Sequence, residues 1–272
     1  MHVESPSAQR LGRDSITWRI NSERLVLLGW GRAILMQFAH PLVAQAVVDH
    51  SAFRDTRVAR LLRLRSTVRA MLAMTFGDVS QVQGAADHIN RIHDRINGRL
   101  QESAKPFAAG TPYTAHDPRL LCWVLATLME SVPLAYRTFV APLSRAEEDQ
   151  YCREARRAGE LLGIPESMIP RDMDAVHAYV RAQLASGAIV VTPNARRLAR
   201  DILYPPFSPA YWPVARLTRL ATVGLLDAKL RAEYGFNWRV RDDRALRRWA
   251  RAVRTARVAT PRWLAHWKVS RT

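Results

Sequence analysis

A chain of 272 residues that is 48% hydrophobic can bury a large core, and it exceeds the usual size of one domain without requiring two. Its two cysteines, Cys122 and Cys152, stand in no metal-type spacing, which argues against a disulfide framework or a zinc site and points to a reducing compartment. The net charge of +17 would suit nucleic acid, but only Lys105, Lys229 and Lys268 of the 41 basic residues are lysines, an arginine bias that a GC-rich genome imposes on any protein. The charge is also uneven: residues 215–272 hold 15 Arg or Lys against Asp227, Glu233, Asp242 and Asp243, so that region carries +11 of the total.

The first 15 residues are polar and contain no apolar h-region, so no signal peptide is expected and the chain reads as cytoplasmic. Ser22 and Glu23 open a helix through Leu25, Leu28, Ile34, Leu35 and Phe38, loosened by Gly29 and Gly31. This run, 25–38, is interrupted by Arg32 and is too short to span a bilayer. Pro41 biases His40 away from helical geometry and starts a helix over 42–49. Helices over 57–75 and 79–100 follow, broken at Gly77 and Asp78, and 105–112 reads as a loop rich in Pro, Gly and Ala. Asp117 and Pro118 cap a strongly apolar helix over 119–140 with Trp123, Leu128 and Val132 in its stripe. Ser144 and Glu147 make a capping box for a helix ending before Gly163. A helix over 171–185 precedes an extended, strand-like run at 188–191; Thr192-Pro193, Ser208-Pro209 and Asp242-Asp243 then open the remaining helices. With no repeat and no period-2 series, the expected fold class is all-α: a single globular multi-helix domain with a basic helical C-terminal extension. Its expected parts are a polar N-terminal segment (1–21), a helical domain (22–205), and a basic, Trp-rich helical region (206–272) packing on the same unit.

His93 is the residue with the most chemical content. It lies one turn from Ile89 and Ile96 in the stripe Ala85, Ile89, Ile92, Ile96, Leu100, so it points into the core. A neutral imidazole in an apolar wall needs a hydrogen-bond donor or a metal for its lone pair, and the pattern alone allows either, a satisfied core histidine or a ligand. The other histidines have plainer accounts. His40 is a helix-boundary residue bonded to backbone, His50 sits at a helix end, His88 faces the side of Arg91, Arg95 and Arg99, and His116 lies beside the Asp117 cap. Asp174 and His177 at i,i+3 spacing, with Glu130, would suggest a di-iron carboxylate bundle, but no Glu-x-x-His occurs anywhere.

The segments 29–41 (GWGRAILMQFAHP), 50–53 (HSAF), 75–77 (TFG), 91–93 (RIH) and 123–128 (WVLATL), continued by Pro142-Leu143-Ser144, Tyr151 and Leu162-Gly163-Ile164-Pro165, occur in an order and spacing that resembles the MpaB and latex clearing protein (rubber oxygenase) catalytic-domain family over about 23–203. The resemblance implies an all-helical fold binding haem b, with a helix histidine on the iron, and members that use dioxygen to cleave carbon–carbon double bonds in hydrophobic polyprenoids. His93 matches the proximal histidine and would be the cofactor and metal ligand, with a backbone carbonyl or Asn90 orienting its other nitrogen. The family's distal Arg-x-x-Lys-Thr matches here at Arg63 and Thr67, with Ser66 where the lysine stands; a serine caps ferric iron poorly, so the distal position should be open or hold water. Thr67 would donate to bound dioxygen and Arg63 to a haem propionate, although either could equally sit on a solvated helix face. The family's histidine in Trp-Val-His-Ala-Thr is Leu125 in this chain, and no glutamate matches the distal base, Asp49 and His50 lying nearest.

Trp238, Trp249, Trp263 and Trp267 lie among the C-terminal arginines, with Trp249 and Val253 on one helical face. Such a helix would lie on an anionic membrane or cover the core with a basic outer face; no helix-turn-helix, zinc-finger or RNA-recognition pattern supports nucleic acid. The sequence is therefore read as a haem b-dependent oxygenase acting with dioxygen on a hydrophobic, polyprenoid or lipid-like, unsaturated substrate. An apolar pocket between the 25–38 and 123–132 helices would hold that substrate. The alternative is a non-catalytic haem carrier or a basic membrane- or nucleic-acid-binding module.

Overall fold

A computed structural model describes residues 11–50, 57–204 and 212–268, with side chains described from Arg65 in one helix and from Val214 in another. The elements are helices α1 (Ile16–Ser22), α2 (Leu27–Phe38), α3 (Pro41–His50), α4 (Arg57–Phe76), α5 (Val79–His93), α6 (Pro118–Phe139), α7 (Arg145–Leu161), α8 (Met173–Ala185), α9 (Pro193–Leu203), α10 (Trp212–Gly224), α11 (Ala228–Glu233), α12 (Val240–Ala259) and α13 (Arg262–Ala265), with a two-stranded antiparallel sheet, β1 (Asn97–Arg99) and β2 (Pro112–Thr114). The fold is all-α, as the sequence implies.

Three caps read from the sequence are formed, whereas Asp242 and Asp243 fall in the first turn of α12 behind Arg239. Asp117 accepts from Arg119 N, Thr192 from Ala195 N, and Ser144 with Glu147 closes a capping box; Asp78 with Gln81 makes another that starts α5. Three local expectations are corrected. No helix opens at Ser22: that residue ends α1, which Ser15 caps and in which Ile16 and Ile20 are buried, so the polar N-terminal segment contains an element that carries core, and α2 begins only at Leu27 after a 3-10 turn at Arg24–Val26. The helix expected over 79–100 stops at His93, because Asn97 and Gly98 leave helical geometry to pair with Thr114 and Tyr113; a Cβ on Gly98 would fall 2.5 Å from the Tyr113 hydroxyl. The 188–191 run, read as extended or strand-like, lies outside helix and sheet; Val190 N donates to Ala39 O, and Ile189 and Val191 fill core. Gly29 and Gly31 do not loosen α2. They let it approach its neighbours, since a Cβ on Gly29 would lie 2.9 Å from Ala135 Cβ and one on Gly31 would collide with Thr222. Phe53 and Ser208-Pro209 lie outside the described residues.

The middle of the fold is α6, whose buried Trp123, Ala126, Met129, Val132 and Phe139 face α2, α8, α7 and α12 in turn. This helix is long and apolar enough to cross a bilayer, but 67% of its apolar window is buried, which is the property of a core helix. Arg32, which interrupts the apolar run of α2, is itself buried: it donates to Glu130 at 2.6 Å, to Ser131 Oγ at 2.7 Å and to the Leu225 carbonyl at 2.6 Å, so a fully satisfied guanidinium joins α2, α6 and the α10–α11 turn. At the other end, buried Glu23 receives Arg257 of α12 and His266, and Trp267 N donates to Ser22 O; these bonds fasten the C-terminal region to α1.

Candidate functional site

An apolar cavity of about 520 Å³ lies between α2, α3, α4, α5, α6 and α7, within the size range of small-molecule sites. Each helix contributes residues three or four apart: Trp30, Ile34 and Gln37 from α2; Val43, Val47 and His50 from α3; Thr67, Met71 and Met74 from α4; Ile89 and His93 from α5; Leu121, Val124, Leu125, Leu128 and Val132 from α6; and Tyr151, Ala155, Ala158 and Leu162 at the α7 side. The two helices expected to form the pocket, α2 and α6, do line it, and α1, α3, α4, α5 and α7 complete it.

His93 is the last residue of α5 and borders the cavity with Ile89 and Ile96. It is half-buried, and its Nδ1 is buried without a hydrogen-bond partner. Burial, reinforced by neighbouring His116 and opposed by Asp94, holds its pKa below the ordinary histidine value, so at neutral pH the ring is neutral and keeps a lone pair. The orienting partner expected from Asn90 is not formed: the Asn90 amide donates instead to Leu161 O at 3.2 Å. His93 thus borders the cavity, half-buried, while Ile92 of the same expected stripe is 47% exposed and the Asn90 partner packs elsewhere.

The distal residues divide. Thr67 lines the cavity and stays largely exposed, at its rim, whereas Ser66 points to a separate surface depression that Arg69, His88 and Lys268 share. The Arg63 side chain lies outside the described residues. Leu125 lines the cavity with its aliphatic chain. Asp49 and His50 belong to a polar corner: the buried Tyr113 hydroxyl donates to Asp49 at 2.6 Å, Gln45 donates to the same carboxylate at 2.8 Å, and His50 Nε2 lies 2.8 Å from Asn97 O. Burial and the Asp49 carboxylate push the Tyr113 pKa up, so the phenol stays protonated and acts as a donor.

Arg157 and Glu154, both on α7, are lining residues that the sequence reading missed. Arg157 Nη2 donates to the Met74 carbonyl in the last turn of α4 at 2.9 Å, and burial holds its pKa below that of a solvated arginine, with Glu154 opposing. Among the described lining residues it is the only Arg or Lys. The signal was a charged residue interrupting the Tyr151, Ala155, Ala158, Leu162 stripe, a place where a solvated side chain is not expected.

The remaining histidines do not assemble a metal site. His40 is buried at a helix boundary as expected, but its Nδ1 has no partner, and its ring lies 5.2 Å from Phe107. His116 is exposed and bonded to Asp94 at 2.8 Å, and His88 is exposed. His177 Nε2 comes within 3.9 Å of Glu130, while Asp174 turns to Arg145; among the described residues no group of three His, Cys, Asp or Glu converges on one point. A di-iron carboxylate centre is thereby removed among these residues.

Haem b has an apolar macrocycle, an iron that takes an axial imidazole, and two carboxylates. The cavity offers an apolar wall, an imidazole that is neutral with one buried nitrogen unpartnered, and one guanidinium, so the residues present fit that group. The protein has relatives of matching extent: an uncharacterised protein of Mycobacterium tuberculosis and one of Mycobacterium bovis are each 27% identical over 214 residues, which cover 75% of this chain and 78% of theirs. No solved structure matches the chain at a significant level. The family described as ER-bound oxygenase mpaB/B'/Rubber oxygenase, catalytic domain, matches residues 18–255, a span that takes in α1 through most of α12 and every helix around the cavity. The chain belongs to this MpaB and rubber oxygenase catalytic-domain family and is an oxygenase.

Proposed function

We propose that the protein is a haem b-dependent oxygenase that acts with dioxygen on a hydrophobic, unsaturated substrate of polyprenoid or lipid-like character. The observation that carries this reading is the position of His93, a neutral imidazole with an unpartnered buried nitrogen in the wall of an apolar cavity within an oxygenase domain. In this reading His93 would hold the iron and Arg157 would receive a carboxylate of the cofactor; the propionate role that the resemblance gives Arg63 stays an expectation, since its side chain lies outside the described residues. When bound, the haem iron supplies the activation of dioxygen.

The chain's own residues supply binding and proton positions. The Val124, Leu125, Leu128 and Met71 surface excludes water and takes an aliphatic substrate by burial, at about 25 cal/mol for each Å² removed from water. Thr67 carries a hydroxyl at the cavity rim that can direct a polar group of the reacting partners. Tyr113, held protonated against Asp49, keeps one rim of the cavity polar while leaving its own proton in place. Leu125 and Ser66 stand where the rubber oxygenase pattern has histidine and lysine, so the substrate class is proposed from the apolar lining, not from rubber cleavage itself.

Titrating the apoprotein with haemin, and then measuring dioxygen uptake with squalene as the unsaturated probe, tests this reading. A saturable shift of the Soret band followed by haem-dependent uptake is expected. Absence of the shift would contradict the cofactor; a shift without uptake over a range of unsaturated lipids would leave a haem carrier.

A further inference from the structure

The C-terminal region presents an apolar tip on a basic surface. One stripe of α12 is committed to the core: Leu246 and Ala250 are buried, Val253 packs beside them, and Trp249 lies 4.9 Å from Phe139 of α6. Of the two arrangements open for this helix, the Trp249 and Val253 face is the one that covers the core, with the basic face outward. The opposite stripe, Arg241, Arg244, Arg248 and Arg251, is exposed at three- and four-residue intervals, and Val258 continues it two turns further on with 88% of its surface in solvent. After the turn at Thr260 and Pro261, Trp263 is 65% exposed and Leu264 46% exposed, with Arg262 and Lys268 exposed beside them in the chain.

This arrangement is costly in water, and the fold has not removed it. Trp249, Trp238 and Trp267 all find cover, while Trp263 and Leu264, fixed by the adjacent His266–Glu23 bond at 2.7 Å, are turned outward. Residues 215–272 carry +11 of the +17 net charge, so the natural complement is a negatively charged, apolar-bodied surface. A duplex nucleic acid would satisfy the charge but offers no place for Val258, Trp263 and Leu264. We propose that this face docks on an anionic phospholipid bilayer, with Val258, Trp263 and Leu264 entering the boundary between headgroups and acyl chains and the arginine stripe lying against the headgroup phosphates.

The proposal also gives the apolar cavity an orientation. Arg262, His266 and Trp267 line a surface cleft together with Trp18 of α1 and Glu154 of α7, and Glu154 lines the apolar cavity as well. Docking by Trp263 and Leu264 would therefore bring the α1–α7 side of the cavity close to the lipid, from which an oily substrate would come. The docking itself does not depend on the identity of the cofactor.

Co-sedimentation of the full chain with vesicles of phosphatidylcholine alone, and with phosphatidylglycerol added, tests it at low and high salt. The expected result is binding to the anionic vesicles, weakened by salt, and none to phosphatidylcholine. The triple variant Arg241→Gln, Arg244→Gln, Arg248→Gln should lose roughly fivefold per arginine, about a hundredfold in all. The double variant Trp263→Ser, Leu264→Ser should lose roughly tenfold or more at unchanged charge. All five positions are exposed, and circular dichroism and the melting temperature verify that each variant is folded. As a second readout, brominated lipid should quench the tryptophan emission of the wild type more than that of Trp263→Phe. No binding to anionic vesicles at low salt overturns the proposal, as does equal binding by both folded variants. Binding to duplex DNA with no binding to vesicles overturns it in favour of a nucleic-acid surface.

Discussion

The rings of His93 and His116 meet edge to face with their centroids 5.8 Å apart, yet the two have opposite environments. His93 lines the apolar cavity with a buried unpartnered nitrogen, whereas His116 is exposed and bonded to Asp94. Their proximity makes a sharp test of which one matters. His116→Ala should leave haem loading unchanged in a Soret titration; a loss of loading as large as that of His93→Ala would exchange their roles.

Arg157→Gln should fold and should bind haem more weakly, because it withdraws a charge-assisted donor from the cavity wall. A weakening of about tenfold is expected for haemin and little change for its dimethyl ester, which has no carboxylate to receive. Equal weakening for both ligands would mean that Arg157 acts only through its bond to Met74 O, as a cap on α4.

Thr67→Val separates loading from turnover. The hydroxyl is removed at nearly constant volume, so haem binding should persist while dioxygen uptake falls about tenfold, the scale of one lost hydrogen bond. Unchanged uptake with full loading would return Thr67 to a structural role at the rim of the cavity.

His40 makes stability depend on pH. Burial lowers its pKa from 6.5 to about 4, with Asp117 opposing. The unfolded chain therefore binds the proton more readily than the folded one between these values, and the stabilisation present above pH 6.5 is lost as pH falls toward 4. The loss is about 3 kcal/mol for a shift of this size. Urea unfolding at a series of pH values should show that slope in the wild type and a flatter one in His40→Gln. The same slope in both would place the acid sensitivity elsewhere.

Arg32→Ala should be among the most destabilising single substitutions, since it leaves the largely buried Glu130 carboxylate, 13% exposed, without its guanidinium. A loss of about 3–5 kcal/mol in urea unfolding is expected, and a loss below about 1 kcal/mol would show that Glu130 is rescued by His177 or by water.

The parts of the fold that the sequence made legible are those with strong periodicity and explicit caps: α6 behind Asp117, α7 behind Ser144 and Glu147, α9 behind Thr192. The parts it hid depend on contacts distant in the chain. The α1 helix is seven residues in a polar segment, and its burial comes from α7 and α6; the β1–β2 pair exists because Gly98 admits Tyr113 across it. At the site, His93 stood out because an imidazole on an apolar face is uncommon, and α2 and α6 were recognisable walls. Arg157 and Glu154 were not found, because a charged residue on a helix rich in Arg and Glu looks solvated until the cavity is built around it. The facing of Trp249 was open in the sequence for a related reason: its helix has tryptophan and arginine stripes, and contacts distant in the chain, Phe139 among them, decide which one faces in.

If His93 holds haem in the apolar cavity, as proposed, the visible spectrum and pyridine haemochrome of wild type beside His93→Ala, both produced with haem precursor supplied, show it most directly. A Soret band and stoichiometric haem b in the wild type, lost in the variant while its circular dichroism is retained, is the predicted result. Full haem loading in His93→Ala would contradict the assignment of the ligand, and no haem in the wild type even after reconstitution would contradict the account as a whole.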